Sequence, residues 1–462
     1  MSARKLLTGA LAGAAVYLGT AALLAGGAQA WTLEEAAKPY AGTTIKCVGD
    51  GYAPFVAYQK LAEEVFTPLT GIKVEWEVGD VGAALRQKMT ADAINQTGVY
   101  DCVELPSLDV GLWAAQNFAK PMHEFLADAA LRDPSFDPLT AYVPETLEFS
   151  SMYDGKVYGL PYHFIPRFMV VRSDIYACAD EQAGFKAKFG YDLPEKPATW
   201  EQFRDVAAFF TRKAGETLCG TALENDFYGT AVSMKRHWAT QYDFEMFLNG
   251  FGGVMFDDKG DVAFDSETGV KAMEYWLSLL PSVPPGFLEY TWDNTYADMC
   301  QGNIYTYATW GDTTPYLEDA SDAGCPKIAG KLGYYPVPGT NQTGAEGQAW
   351  LIPAASKNAE ATFLFLQWLG SFEVQKECQK IGCTSPRRDV WFEKDFDGIG
   401  AVEVTRWLIE NGKVIARAHP PAMPEISTLL IDAVHAAGRG EMTAAEALKQ
   451  AGEKSREAIA AQ

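Results

Sequence analysis

Apolar and polar residues change period several times along the chain, and those changes mark out its elements. Thr44-Ile45-Lys46-Cys47-Val48 is rich in strand-forming residues and runs into Gly49-Asp50-Gly51, which predicts a short strand and a turn. Tyr58, Leu61, Ala62, Val65, Phe66 and Leu69 then recur at helical spacing, and Gly71 stands where the helix should end. Directly afterwards Ile72, Val74, Trp76 and Val78 alternate with Lys73, Glu75 and Glu77, the period of a half-buried strand. A second helix is predicted over 83–94 and a third strand over 99–105. Strand, helix, strand, helix, strand implies right-handed crossovers and a parallel sheet, so the fold class is α/β.

Farther along, helices dominate. Thr199-Trp200-Glu201-Gln202 reads as a capping box, with Phe203, Val206, Ala207 and Phe210 on one face of the helix it starts. Val270, Met273, Leu277 and Leu280 form another stripe, stopped by Pro281, Pro284 and Pro285. The stretches 302–310 and 331–337 return to strand-like residues, 358–369 is a dense apolar helix, and an Ala/Glu/Lys-rich helical tail starts near Ser427.

The first thirty residues follow another rule. Arg4 and Lys5 precede an apolar run from Leu6 to Gly26, and Ala28-Gln29-Ala30 has the small-x-small pattern of a signal-peptidase site. Residues 1–30 are therefore expected to be a signal peptide cleaved after Ala30, leaving Trp31 first and the product in the periplasm. No cysteine follows that position, so a lipid-anchored form is not expected.

Charge and cysteines sharpen the picture. The mature chain would carry 36 basic and 60 acidic residues, a net charge of −24, which argues against binding nucleic acid or an anionic membrane surface. Eight cysteines in an exported chain point to disulfides, although eight allow on the order of a hundred pairings. Joining neighbours gives Cys47–Cys102, Cys178–Cys219, Cys300–Cys325 and Cys378–Cys383. Zinc is the rival, but there is no CxxC and the five histidines lie far apart, so no metal site and no cofactor are expected.

No catalytic motif stands out: GxSxG, HExxH and Gly-rich phosphate loops are all missing. What recurs is an aromatic residue beside a polar one at strand-to-loop junctions. The places are Asp50 with Tyr52, Tyr162 with His163, Tyr242 with Asp243, Trp292 with Asp293, Trp310 with Asp312, Glu346 with Gln348 and Trp350, and Arg387 with Arg388. A sugar or polyol needs this mixture, because hydroxyls require fixed polar partners while C–H faces lie well on flat rings. The candidate ligand-binding residues are accordingly Asp50, Tyr52, Tyr162, His163, Trp292, Trp310, Asp312, Glu346, Gln348, Trp350 and Arg387.

Several segments carry a family likeness. Asp154-Gly155-Lys156-Val157-Tyr158-Gly159-Leu160-Pro161-Tyr162, Thr199-Trp200-Glu201-Gln202-Phe203, the run from Gln301-Gly302-Asn303 to Trp310-Gly311, Gly333-Tyr334-Tyr335-Pro336-Val337-Pro338-Gly339, and Trp350-Leu351-Ile352-Pro353 through Trp368-Leu369 to Val374-Gln375 occur in a telling order. In these the chain resembles the extracellular solute-binding proteins of sugar ABC importers, the maltose-binding-protein-like group. Two departures are the eight cysteines and Glu346-Gly347-Gln348-Ala349-Trp350, which replaces a more glycine-rich run.

The resemblance implies a two-lobed type II periplasmic-binding-protein fold with three interlobe crossings, near 161–164, 302–303 and 347–349, and a ligand cleft between lobes. One lobe would comprise 31–163 plus 303–346 and the other 164–302 plus 347–462. It implies a monomeric receptor, not an enzyme, that closes on a sugar, polyol or short oligosaccharide and delivers it to permease subunits in the inner membrane. The alternatives are a secreted carbohydrate-active enzyme and a binding protein that serves a sensor.

Overall fold

The structure is a computed structural model and describes residues 31–51, 53–79, 84–416 and 419–462. The expected signal segment 1–30, and Tyr52, lie outside the described residues.

Two mixed sheets, each flanked by helices, form two lobes. In the first, strands run in the order Lys73–Gly79, Thr44–Asp50, Cys102–Pro106, Gln348–Leu351 and Gly159–Pro161. The first three are parallel, as the alternation of strands and helices predicts, while Gln348–Leu351 is antiparallel to both of its neighbours. In the second, the order is Thr306–Trp310, Ile165–Arg172, Thr343–Glu346 and Val414–Ile415, with Leu332–Tyr335 also paired to Ile165–Arg172.

This pairing corrects the expected division of the chain. Thr306–Trp310 and Thr343–Glu346 both pair with Ile165–Arg172, so 303–346 belongs with the second lobe. Gln348–Leu351 pairs with Cys102–Pro106, and the helix Ala359–Leu369 that follows sets Phe365 against Phe66 and Trp76 of the first lobe. Val390 and Trp391 return to the core of the second lobe. Among the described residues the connections between lobes therefore fall at 162–164, 346–348 and 384–387, and none at 302–303. The physical reason is that period-two alternation identifies a strand but not the edge it will join.

Local chemistry explains most element ends. Gly71 closes its helix in the left-handed conformation at φ 73°. Thr199 accepts from the Gln202 backbone N–H at 3.2 Å while Gln202 Oε1 accepts from the Thr199 N–H, completing the capping box. The stripe 58–69 is only half right: Tyr58, Ala62 and Phe66 are buried, but Val65 and Leu69 are exposed. A π-helical turn over Ala62–Phe66 rotates the helix face there. Val78 is also exposed, although it shares a strand face with Val74 and Trp76, because it lies near the end of the strand Lys73–Gly79.

The cysteines pair neighbour to neighbour, as expected: Cys47–Cys102, Cys178–Cys219, Cys300–Cys325 and Cys378–Cys383. Cys47 and Cys102 stand opposite each other on adjacent strands in the buried core of the first lobe.

Candidate functional site

Two of the interlobe connections run side by side. A Cβ on Gly347 would sit 2.5 Å from the carbonyl oxygen of His163, so only glycine lets them approach this closely. Glu346 and Gln348 flank Gly347 and are thereby sent to opposite sheets, Glu346 to the second lobe and Gln348 to the first.

On the first-lobe side, the Tyr162 hydroxyl donates to Gln348 Oε1 at 2.7 Å. Gln348 also hydrogen-bonds the His163 ring, which is stacked on Tyr162 with centroids 4.3 Å apart. Burial pushes His163 down to about 3, so its imidazole stays neutral at physiological pH. The Tyr162 carbonyl receives the Tyr58 hydroxyl at 2.8 Å, tying this connection to the lobe beneath it.

Glu104 sits next to this network. It is fully buried on the strand Cys102–Pro106, and its Oε2 accepts the Asp50 backbone N–H at 2.7 Å. The carboxyl group also hydrogen-bonds Tyr162. Burial, reinforced by the nearby charge of Asp50, raises Glu104 to about 8, so it holds a proton at neutral pH and can donate as well as accept. Its Oε1 has no partner among the described residues. Glu104 was not among the candidates, although a carboxylate set between Val103 and Leu105 in a predicted strand was the available signal.

On the second-lobe side, Trp310 ends the strand Thr306–Trp310 and is almost fully buried. Its indole N–H donates to Glu346 Oε2, and the Arg167 guanidinium lies 4.0 Å from its ring centroid. Arg167 in turn donates to Asp243, whose second oxygen accepts the Ser233 N–H at 3.0 Å. Burial raises Glu346 to about 8, against the pull of Arg167 and the Trp310 hydrogen bond. Trp238, on the same helix as Tyr242 and Asp243, stands edge-on to Trp310 at 6.2 Å and is 39% exposed.

The two sides meet. Ser107, just past the carboxyl end of Cys102–Pro106, hydrogen-bonds the Tyr242 hydroxyl across the lobes at 3.3 Å. The helix Ser107–Ala115 packs on Met423–Gly438 of the second lobe, and a Cβ on Gly111 would lie 2.3 Å from the His419 carbonyl oxygen. The polar and aromatic groups therefore converge beyond the carboxyl ends of strands, where open α/β sheets take their ligands.

Four predicted residues stand elsewhere. Trp350 is core: its ring packs against Phe55, Trp76 and Tyr162 beneath the first sheet. Arg387 makes two bonds to Asp389 and one to the Gly370 carbonyl, and it faces a separate cavity of about 290 Å³ with Trp31, Phe136, Trp368 and Phe372. Trp292 lies on the surface at the start of the helix Trp292–Gln301. Asp312 accepts backbone N–H groups in the short turn after Trp310, and burial raises it to about 6.

The two-lobed frame is matched by known proteins. The family model of the bacterial extracellular solute-binding proteins covers residues 49–376. The chain belongs to that family. Among curated relatives of this solute-binding protein, a mannitol-binding protein of Pseudomonas aeruginosa is 26% identical over 68% of this chain and 66% of the relative. A probable amino-acid ABC transporter periplasmic-binding protein of Sinorhizobium fredii is 24% identical over 75% of this chain and 73% of its own length. Among solved structures, an ABC transporter solute-binding protein of Agrobacterium radiobacter in complex with ribitol superposes with a TM-score of 0.74 at 26% identity, covering 91% of this chain and all of that one.

Proposed function

We propose that this solute-binding protein captures a neutral polyol or sugar in the seam between its lobes and hands it to the permease of an ABC importer. The observation that carries the reading is the convergence of Tyr162, Gln348 and Glu104 from one lobe with Trp310, Glu346 and Tyr242 from the other. Such a set offers hydroxyl partners and ring surface to one ligand from both sides, and a ligand that touches both lobes stabilises the closed state. The names of the relatives that bind mannitol and ribitol point the same way.

Charge favours a neutral ligand over an amino acid. An amino acid needs an uncommitted cation for its carboxylate. Among the described residues, Arg167 and Arg86 beside the seam have their charge offset by Asp243 and Asp109. Arg387 lies outside the seam, on Asp389.

The remaining steps belong to the same reading. The protein is exported, cleaved after Ala30, and works in the periplasm as a monomer, binding rather than transforming its ligand and taking no part in nucleic-acid recognition. A carbohydrate-active enzyme remains the rival in kind, because two buried protonated carboxyls resemble a general acid. Isothermal titration of the purified mature protein against polyols, neutral sugars, sugar acids and amino acids tests the reading. Tight one-to-one binding of a polyol or sugar without turnover supports it. Binding of amino acids alone, or hydrolysis of a glycoside, contradicts it.

A further inference from the structure

The third connection between lobes is built differently from the other two. Thr384 receives the Phe164 N–H at 2.8 Å and Pro386 the Val143 N–H at 2.9 Å, while the Trp391 indole donates to the Ser385 carbonyl at 2.7 Å. Val143, Phe164 and Trp391 lie in the second-lobe core, while Arg387 of the segment donates to the Gly370 carbonyl on the first-lobe side. Immediately before it, Cys378 and Cys383 close a tight loop at the end of the helix Phe372–Lys380. Gln379 in that loop accepts the Ser385 N–H at 2.8 Å, so loop and connection move together.

The loop also touches the opposite lobe. Gly382 has φ 95°, and a Cβ placed on it would lie 3.0 Å from the Pro315 ring. Pro315 belongs to the short helix Thr314–Leu317, which directly follows Trp310 and the turn Gly311–Thr313. Thr313 Oγ1 donates to the Trp310 carbonyl at 2.8 Å and Thr314 Oγ1 to that of Gly311 at 2.7 Å, so a push on Pro315 is passed to Trp310. Both cysteines are buried in the first-lobe core, which makes the loop a firm bearing.

We infer that the disulfide-closed loop Cys378–Cys383 is a stop for lobe closure, positioning the Trp310–Pro315 wall of the second lobe against the first and thereby setting how long the closed state holds its ligand. The inference rests on the reading of the seam as the ligand site. The disulfide restrains the loop, Gly382 supplies the close approach, and Pro315 is the surface it meets. A reduced or enlarged loop would let the wall come to rest elsewhere. Contacts made only in the closed state would then be weakened, which shows in the dissociation rate more than in the association rate.

The test compares Cys378→Ser/Cys383→Ser and Gly382→Ala with Cys178→Ser/Cys219→Ser, which removes a disulfide of the second lobe remote from all three connections. Dissociation of mannitol or ribitol is followed by tryptophan fluorescence, and the radius of gyration is measured by small-angle scattering with and without ligand. Both loop variants are expected to release ligand about tenfold faster and to shift the scattering profile, while the Cys178/Cys219 variant matches wild type in both. Loop variants with wild-type dissociation and wild-type scattering would overturn the inference, even if their melting temperatures fell. Should the double serine variant fail to fold, Gly382→Ala, which keeps the disulfide, decides alone. Should wild type bind no polyol or sugar, the ligand reading fails by itself, and ligand-free scattering still decides whether the loop sets the lobe arrangement.

Discussion

The Arg167 guanidinium lies 4.0 Å from the Trp310 ring centroid, so one face of that indole is taken by a cation before any ligand arrives. Its N–H is taken as well, by Glu346. If the seam is the ligand site, a ligand would have to use the opposite face of the ring. Trp310→Ala should weaken polyol or sugar binding at least about tenfold, or ~1.4 kcal/mol. Trp310→Phe keeps a ring but loses the bond to Glu346, and should fall between the two in titration calorimetry. Unchanged affinity in both variants would remove Trp310 from the site.

Tyr162→Phe separates hydrogen bonding from packing. The ring would stay between His163 and Trp350, while the hydroxyl that bonds Gln348 at 2.7 Å and also reaches Glu104 would be gone. Leaving buried partners unsatisfied costs roughly 1–3 kcal/mol. A lower melting temperature and weaker ligand binding are both expected. A variant that loses stability but binds normally would place this network outside the site.

Gly347→Ala probes the crossing itself. The added methyl would meet the His163 carbonyl oxygen at 2.5 Å, backbone against backbone, so the two connections must separate. Lower affinity and an altered scattering profile are expected together. A well-folded variant with wild-type affinity would show that the spacing of the connections does not matter.

Buried carboxyls and histidines give stability a defined pH course. Glu104 and Glu346 are raised from an ordinary 4.5 to about 8, so the folded protein holds two protons that the unfolded chain releases between those values. Their contribution falls as pH rises through that window. His163 and His419 are lowered from 6.5 to about 3 and about 4, so their contribution rises with pH up to 6.5. Glu245, raised to about 7, and Asp312, raised to about 6, add to the loss from the carboxyls; that loss opposes the histidine gain between 4.5 and 6.5 and continues above 6.5. The melting temperature should therefore fall between pH 6.5 and 8, and Glu104→Gln with Glu346→Gln should flatten that decline. A melting temperature that rises over this range would contradict the protonated state of the two carboxyls.

The sequence revealed elements better than their assembly. The strand near Thr44, the helix stop at Gly71 and the capping box at Thr199 depend on neighbours a few residues away, and all three are present. Thr306–Trp310 was recognisable as a strand, but its pairing with Ile165–Arg172 depends on residues more than a hundred positions distant. The same limit applied to the site. Tyr162, Trp310, Glu346 and Gln348 became candidates because aromatic and polar residues adjoin in sequence at those junctions, and they stand beside the crossings between lobes. Trp350 showed the same signature yet fills the core, and Arg387 is committed to Asp389. Glu104 was missed because its partner, the Asp50 backbone, comes from another strand.

The central claim is that the seam between the lobes holds a neutral polyol or sugar, and calorimetric titration of the mature wild-type protein with mannitol, ribitol and a panel of neutral sugars tests it most directly. Saturable one-to-one binding of at least one of these is expected, lost or weakened in Trp310→Ala, with no response to sugar acids or amino acids. A protein that ignores every neutral polyol and sugar while binding an amino acid or an anion would contradict it.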